Sequence, residues 1–392
     1  MIDNDSLHNR IAIVGVGESD IGKVPGMSGL GLNAQAAKRA LDDAGLKVSD
    51  IDGLLTAYSF TEPYFMLGSV MCEYLGIKPR FNASMVVGGC SPAIMLKHAA
   101  EAIASGQCNT VLVCAGENRA TGQSRDQAIS ALMAVGHPYY EQPYGPSIPA
   151  FYGLIAQRHM AEFGTTEEQM AAVAVTTRSH ALLHNNAHMK KPLTIEDVMA
   201  SKPIADPLKM LDCCLLSDAG GAFIVTSAER AKDLKSKPAY LAGIGEYHTH
   251  EHIMCAPSLT EFGAKESGEV AYRMARLGPS DIDVAQLYDC FSIVPIIELE
   301  ELGFCPRGEG GQFYQEGHAR IGGKLPVNTH GGMLSHAHAG AAGGLLGIVE
   351  AVRQLRGGLG ARQVEGAEVA LVHNEGGILS SHCTVILTKD RY

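Results

Sequence analysis

Gly88-Gly89-Cys90-Ser91-Pro92 runs into Ala93-Ile94-Met95-Leu96-Lys97-His98-Ala99-Ala100-Glu101-Ala102-Ile103-Ala104, then Ser105-Gly106, then Thr110-Val111-Leu112-Val113-Cys114-Ala115. The glycine pair allows a tight turn, and Pro92 suits the first turn of a helix, where its missing N–H is not needed. The next twelve residues are helix formers, apolar around most of the circumference, which predicts a buried helix stopped at Ser105-Gly106. A core strand follows directly. Strand and helix in alternation predict a layered α/β architecture. Cys90 stands where the turn becomes the helix, beside its free N–H groups and positive dipole end. That placement favours a thiolate and offers donors to an oxyanion. The plain alternative is an inert core thiol, the usual fate of a free cysteine.

Working outward, Arg10-Ile11-Ala12-Ile13-Val14-Gly15-Val16-Gly17 reads as a buried strand, and residues 30–45 as a helix ending at Gly45. Residues 117–215 break the rhythm. They contain the Pro/Tyr/Gly-rich run 136–146 and helical patterns over 150–163 and 166–184, which predicts a cap inserted over a core. Ala222-Phe223-Ile224-Val225-Thr226 resumes the core, and the charged stretch 228–237 reads as a linker, dividing the chain into halves 1–232 and 233–392. The second half repeats the plan, with a strand near 239–245, a helix near 265–277, a strand entering Asp283 to Phe291, and, after Asn328, a turn and small-residue helix over 336–349. His338 holds in this half the place that Cys90 holds in the first. Two such halves would aim the pair at one central site.

A chain of 392 residues, 46% hydrophobic and 19% charged, can build two domain-sized units around a large core. The formal charge of −11, without a Lys/Arg cluster, argues against nucleic acid or an anionic membrane surface as partner. No apolar run is long enough to span a bilayer. Ten cysteines are too sparse for a disulfide scaffold, and adjacent Cys213-Cys214 fits a reducing compartment. With a polar start, Met1-Ile2-Asp3-Asn4-Asp5, unlike a secretory or transit peptide, a cytoplasmic location is expected. Gly15-Val16-Gly17 is an incomplete dinucleotide fingerprint. His248, His250 and His252 lack zinc-ligand spacing with Cys255 and read as a solvated strand face, so no metal is expected. Tyr139, Tyr140 and Tyr144 either line an entrance in the cap or pack a loop.

Taken in order, these features resemble the thiolase family, and within it the sterol-carrier-protein type. The resemblance covers almost the whole chain, including Phe151-Tyr152-Gly153-Leu154, residues 158–169, Leu193-Thr194-Ile195-Glu196-Asp197-Val198, residues 203–208 and residues 215–221. It implies two similar βαβαβαββ halves in five α-β-α-β-α layers. Cys90 matches the family's nucleophile, although Pro92 and Ala93 replace the usual small residue and glycine. The Gly-His-Pro motif corresponds to Ala337-His338-Ala339, and the His-Asp-Cys-Phe motif to Tyr288-Asp289-Cys290-Phe291. Cys-x-Gly corresponds to Asn374-Glu375-Gly376; its missing cysteine is compensated by Cys290.

The implied chemistry is CoA-dependent cleavage of a 3-oxoacyl-CoA, or the reverse Claisen condensation, in degradation of a branched, aromatic or steroid-derived acyl group. Cys90 would be the nucleophile, His338 its base and Cys290 the acid/base. Tyr288, Gly376 and Asn328 would orient substrate and oxyanion, with Phe291 and Tyr144 as further substrate contacts. Coenzyme A is expected as co-substrate, with no permanently bound cofactor. A homodimer is implied, as is a small OB-fold, zinc-ribbon partner. Tyr288, in place of the motif histidine, also resembles thiolase-fold acyltransferases and steroid side-chain retro-aldolases, the latter generally lacking the cysteine and histidine kept here. A retro-aldol lyase acting on a 3-hydroxyacyl-CoA and a non-catalytic acyl-CoA- or lipid-binding subunit are therefore the alternatives.

Overall fold

Strand β1 (Ile11–Glu18) is buried along its length and leads to helix α1 (Gly29–Ala44), whose start is capped by Ser28 and whose end is closed by Gly45 in the left-handed conformation. The computed structural model describes residues 7–391, so the acidic stretch from Met1 to Asp5 lies outside the described residues. β2 (Gly53–Ala57), α2 (Leu67–Leu75), β3 (Phe81–Met85), α3 (Ser91–Ala104) and β4 (Thr110–Asn118) complete the alternation. The cap follows with α4 (Arg125–Met133), α5 (Ile148–Phe163), α6 (Glu167–Ala181), α7 (Ile195–Met199) and the short hairpin β5 (Pro203–Ala205) and β6 (Leu208–Lys209). Thr166 with Gln169, and Thr194 with Asp197, form capping boxes that fix the starts of α6 and α7. β7 (Asp218–Ser227) then returns to the core.

The charged stretch after β7 differs from the expected linker. Its first four residues form α8 (Ala228–Ala231), which packs on β1 and β7 because Ala228 and Ala231 turn inward. The second half comprises β8 (Ala239–His248), α9 (Ala264–Ala275), β9 (Val284–Gln286), α10 (Val294–Glu301), α11 (Gly310–Gln315), α12 (Ala342–Arg356), β10 (Val369–Gly376) and β11 (Ser381–Thr388). Its third strand is reduced to one parallel bridge, Ala285 to Val327.

The strand order is β3-β2-β4-β7-β1-β8-β11-β10-β9. β2 is parallel to β3 and β4, and β9 to β10, while the remaining pairs are antiparallel. The halves join through a short β1–β8 pairing at Ala12–Tyr240 and Ile13–Ala239. α1 and α2 cover the first half-sheet, α9 covers the second, and α3 and α12 touch each other and strands of both. The layers are therefore α-β-α-β-α. α3 and α12 form the central one, and Cys90 sits at the start of α3. No helix among the described residues is long and apolar enough to cross a membrane.

Candidate active site

Cys90 is the N-cap of α3 and is fully buried. Two close backbone approaches define its surroundings. A methyl group on Gly376 would collide with the Val87 carbonyl and stand 3.2 Å from Cys90 Cβ, so only glycine lets β10 come this near. A methyl on Gly89 would overlap the Tyr288 ring and hydroxyl. We expect Gly89→Ala to cost about 1–3 kcal/mol, the usual range for overpacking, measurable by urea denaturation.

The helix-start argument anticipated a stabilised thiolate; the structure reverses that for the resting protein. Burial pushes the Cys90 thiol well up, and the adjacent Cys383 thiol, Glu246 and Glu375 push it further. Cys90 therefore rests as a thiol. His338 rests unprotonated, because burial and the positive field of Arg119 lower it to about 4 against a contact with the Leu215 carbonyl, leaving a neutral imidazole at pH 7. Its position also differs from the symmetry drawn from the sequence. Cys90 caps its helix directly, whereas His338 lies ahead of the Ala341 cap of α12, just beyond a π-turn over Gly332–His336. Ser217 holds it there, donating its N–H to the His338 carbonyl at 3.0 Å.

The segment Tyr288-Asp289-Cys290-Phe291 leaves the strand at Gln286, and its four side chains do four things. The Tyr288 ring stands edge-on to His338 at 6.4 Å. Burial, with Cys290 and Glu375 nearby, raises its phenol well above the ordinary value, so Tyr288 is a hydrogen-bond donor at neutral pH. Asp289 accepts the Met333 N–H at 2.7 Å and braces the π-turn that leads to His338. Phe291 stacks on Tyr152 of the cap, with ring centroids 4.4 Å apart. Cys290 donates its thiol hydrogen to Glu375 Oε1 at 3.3 Å.

Glu375 was not singled out from the sequence. It is buried, accepts the Tyr152 hydroxyl at 2.7 Å on the same oxygen as Cys290, and takes the Leu379 N–H at 3.1 Å on the other. Burial pushes it up to about 7, opposed by these hydrogen bonds. The middle position of Asn374-Glu375-Gly376 was the available signal, since a carboxylate inside an apolar strand requires partners. Asn328 is buried with φ 53°, and its Oδ1 accepts the Leu287 N–H at 2.8 Å; its Nδ2 has no partner among the described residues. Tyr144 is 87% exposed, on a one-turn helix outside this buried group. Tyr139 and Tyr140 are exposed as well.

Behind the His338 loop, Glu18, His184 and His336 bring ligand-type atoms within 4.8 Å of one another. Arg353 Nη1 stands 3.2 Å from Glu18 Oε1. Burial alone would raise Glu18, but Arg353 and His336 hold its carboxyl well below the usual range. A guanidinium thus already supplies the positive charge at this cluster. His248 pairs with Glu246 at 2.8 Å at the exposed end of β8.

The five-layer core is that of the thiolase fold, and the chain belongs to the thiolase family. Residues 245–389 match the family described as Thiolase C-terminal domain-like. The chain is 32% identical over 372 residues to an acetyl-CoA acetyltransferase of Methanothermobacter thermautotrophicus, covering 94% of this chain and 96% of that one. It is 36% identical over 388 residues to a 17-hydroxy-3-oxo-4-pregnene-20-carboxyl-CoA lyase of Mycobacterium tuberculosis, covering 96% and 98%. Among solved structures, the Ltp2-ChsH2(DUF35) aldolase superimposes with a TM-score of 0.85 at 35% identity, covering 98% of this chain and 99% of that chain.

Proposed function

We propose that the protein is a thiolase-type acyltransferase that cleaves a branched, aromatic or steroid-derived 3-oxoacyl-CoA through an acyl-enzyme on Cys90, or runs the reverse condensation. The observation that carries this reading is Tyr288, which lies against Gly89 beside the Cys90 thiol and edge-on to the neutral His338 ring at 6.4 Å, while Cys290 has its own carboxylate. His338 takes the Cys90 proton, and the thiolate adds to the 3-oxo carbon. The adjacent carbon–carbon bond breaks, leaving an acyl thioester on Cys90 and a CoA-thioester enolate. Cys290 protonates that enolate. Free coenzyme A then gives its thiol proton to Cys290, attacks the acyl group and leaves as the shortened thioester, while Cys90 regains its proton from His338. Backbone N–H groups of Cys90 and Gly376 stabilise the oxyanion, and Tyr288 donates to substrate oxygen. Mass spectrometry after mixing with a 3-oxoacyl-CoA is expected to find an acyl adduct on Cys90. Turnover with Cys90 unmodified would overturn the mechanism.

A retro-aldol cleavage of a 3-hydroxyacyl-CoA is the second reading, favoured by Tyr288 in place of the motif histidine and by the lyase among the relatives. It requires a base for the 3-hydroxyl, Tyr288 or His338; His338 is neutral at pH 7, whereas the Tyr288 phenol is held protonated by burial.

Assembly follows the same reasoning. β3 is a sheet edge, exposed Val86 directly follows it, and exposed Tyr64, Phe65, Met66 and Tyr74 lie before or on α2, which packs against it, a combination that favours pairing with a second copy. A small OB-fold, zinc-ribbon partner is proposed from the family resemblance, and the Ltp2-ChsH2(DUF35) aldolase above bears the names of two components. Light scattering is expected to give a dimer mass, falling to the monomer with Val86→Glu.

A further inference from the structure

Arg119 follows the last residue of β4 and is only 4% exposed. Its Nε and Nη2 have no hydrogen-bond partner among the described residues. Glu117 Oε2 lies 3.7 Å from Nε, beyond hydrogen-bond reach, and is likewise unpartnered among them. The other Glu117 oxygen is committed to the Phe60 N–H at 2.6 Å. Burial pushes the Glu117 carboxyl up to about 7 against Arg119 and that N–H, so its charge is only partly present at neutral pH. Asp218 stands nearby but is occupied by the N–H groups of Val24, Ala120 and Thr121 and the Thr121 hydroxyl, at 2.8 to 3.0 Å. The Phe60 ring covers one face of the guanidinium at 5.0 Å from its centroid. A buried guanidinium left with unused donors is costly, and a planar anion is the group that satisfies its fork.

The position says which anion. Ser217, next to Asp218 in the chain, fastens the backbone of His338, and Gly340, two residues beyond His338, lies against the Glu117 carboxylate. Arg119, through Glu117 at 3.7 Å, thus borders the segment that carries His338, and its positive field is felt at the imidazole. We propose that Arg119 is a specificity-determining residue that receives a free carboxylate on the acyl portion of the substrate, so that the preferred substrate is the CoA monothioester of a dicarboxylic 3-oxo acid. The proposal rests on the CoA-ester reading above and narrows it.

Calorimetry on the intact protein with free hexanoate and neutral hexanamide tests the subsite without turnover. Hexanoate is expected to bind at least about tenfold more tightly than hexanamide, and Arg119→Gln to level the two. Equal binding by the unmodified protein overturns the proposal whether or not it cleaves any thioester. With thioesters, kcat/KM for 3-oxoadipyl-CoA is expected to exceed that for 3-oxohexanoyl-CoA by about a hundredfold, collapsing towards unity in Arg119→Gln. Arg119→Lys, which keeps the charge but loses the fork, is expected to fall between and guards against a folding defect. An equal loss on both thioesters would assign the guanidinium to the thioester or enolate oxygen and overturn the proposal.

Discussion

Cys90→Ala is expected to lower turnover of a 3-oxoacyl-CoA on the order of 10⁴-fold or more and to abolish the covalent adduct, with folding unchanged by circular dichroism. The expectation rests on the geometry of the α3 start. Cys90 lies in the central helical layer, with Gly376 against its Cβ and Tyr288 against the preceding glycine. Alanine removes one sulfur from a closed site and leaves the helix cap intact, because Cys90 makes no side-chain capping hydrogen bond. Steady-state kinetics and intact-mass measurement on one preparation separate the two readings of function. Retention of most carbon–carbon cleavage in Cys90→Ala would support the retro-aldol alternative, in which no bond to sulfur forms.

Glu375→Gln carries the second large effect. The amide of this variant would still offer an oxygen to the Cys290 thiol and the Tyr152 hydroxyl, at the cost of the acceptor for the Leu379 N–H, while the ability to hold a proton is lost. Turnover is expected to fall about a hundredfold, the lower end of what a general acid/base contributes. The pH profile gives the sign. Burial raises Glu375 to about 7, so its carboxylate, the form that accepts the Cys290 thiol hydrogen bond and supports Cys290 as a base toward coenzyme A, gains population as pH rises through that value. Activity in the direction where coenzyme A must be deprotonated is therefore expected to rise through about pH 7, and Glu375→Gln to remove that limb. A variant keeping both turnover and the limb would reduce Glu375 to a packing residue.

Much of this was legible in the chain itself. The turn, apolar helix and strand from Gly88 to Ala115 carry their own stop signals, and the corresponding sequence around His338 repeats the pattern, so periodicity was enough to predict layered halves. Other features were not. The stretch after β7 reads as a charged linker because its two inward alanines are hidden among lysines and acids. The strand entering Tyr288 ends at Gln286, since the Tyr288 N–H turns to Glu298 at 2.9 Å and leaves the ladder, which no local pattern reports.

Sequence alone determined which segments form the central helices and which cysteine and histidine begin or precede them, because helix starts, stops and apolar faces are set within a few residues. Tertiary structure alone decided the partners. Tyr152 of the cap meets Glu375 across 223 residues, and Cys290 meets it across 85. It also decided that Cys90 is a buried thiol and that Arg119 is a cation with unused donors. Protonation state and hydrogen-bond satisfaction depend on what distant chain segments bring into a site and how much water they exclude, and neither is encoded in the spacing of neighbours.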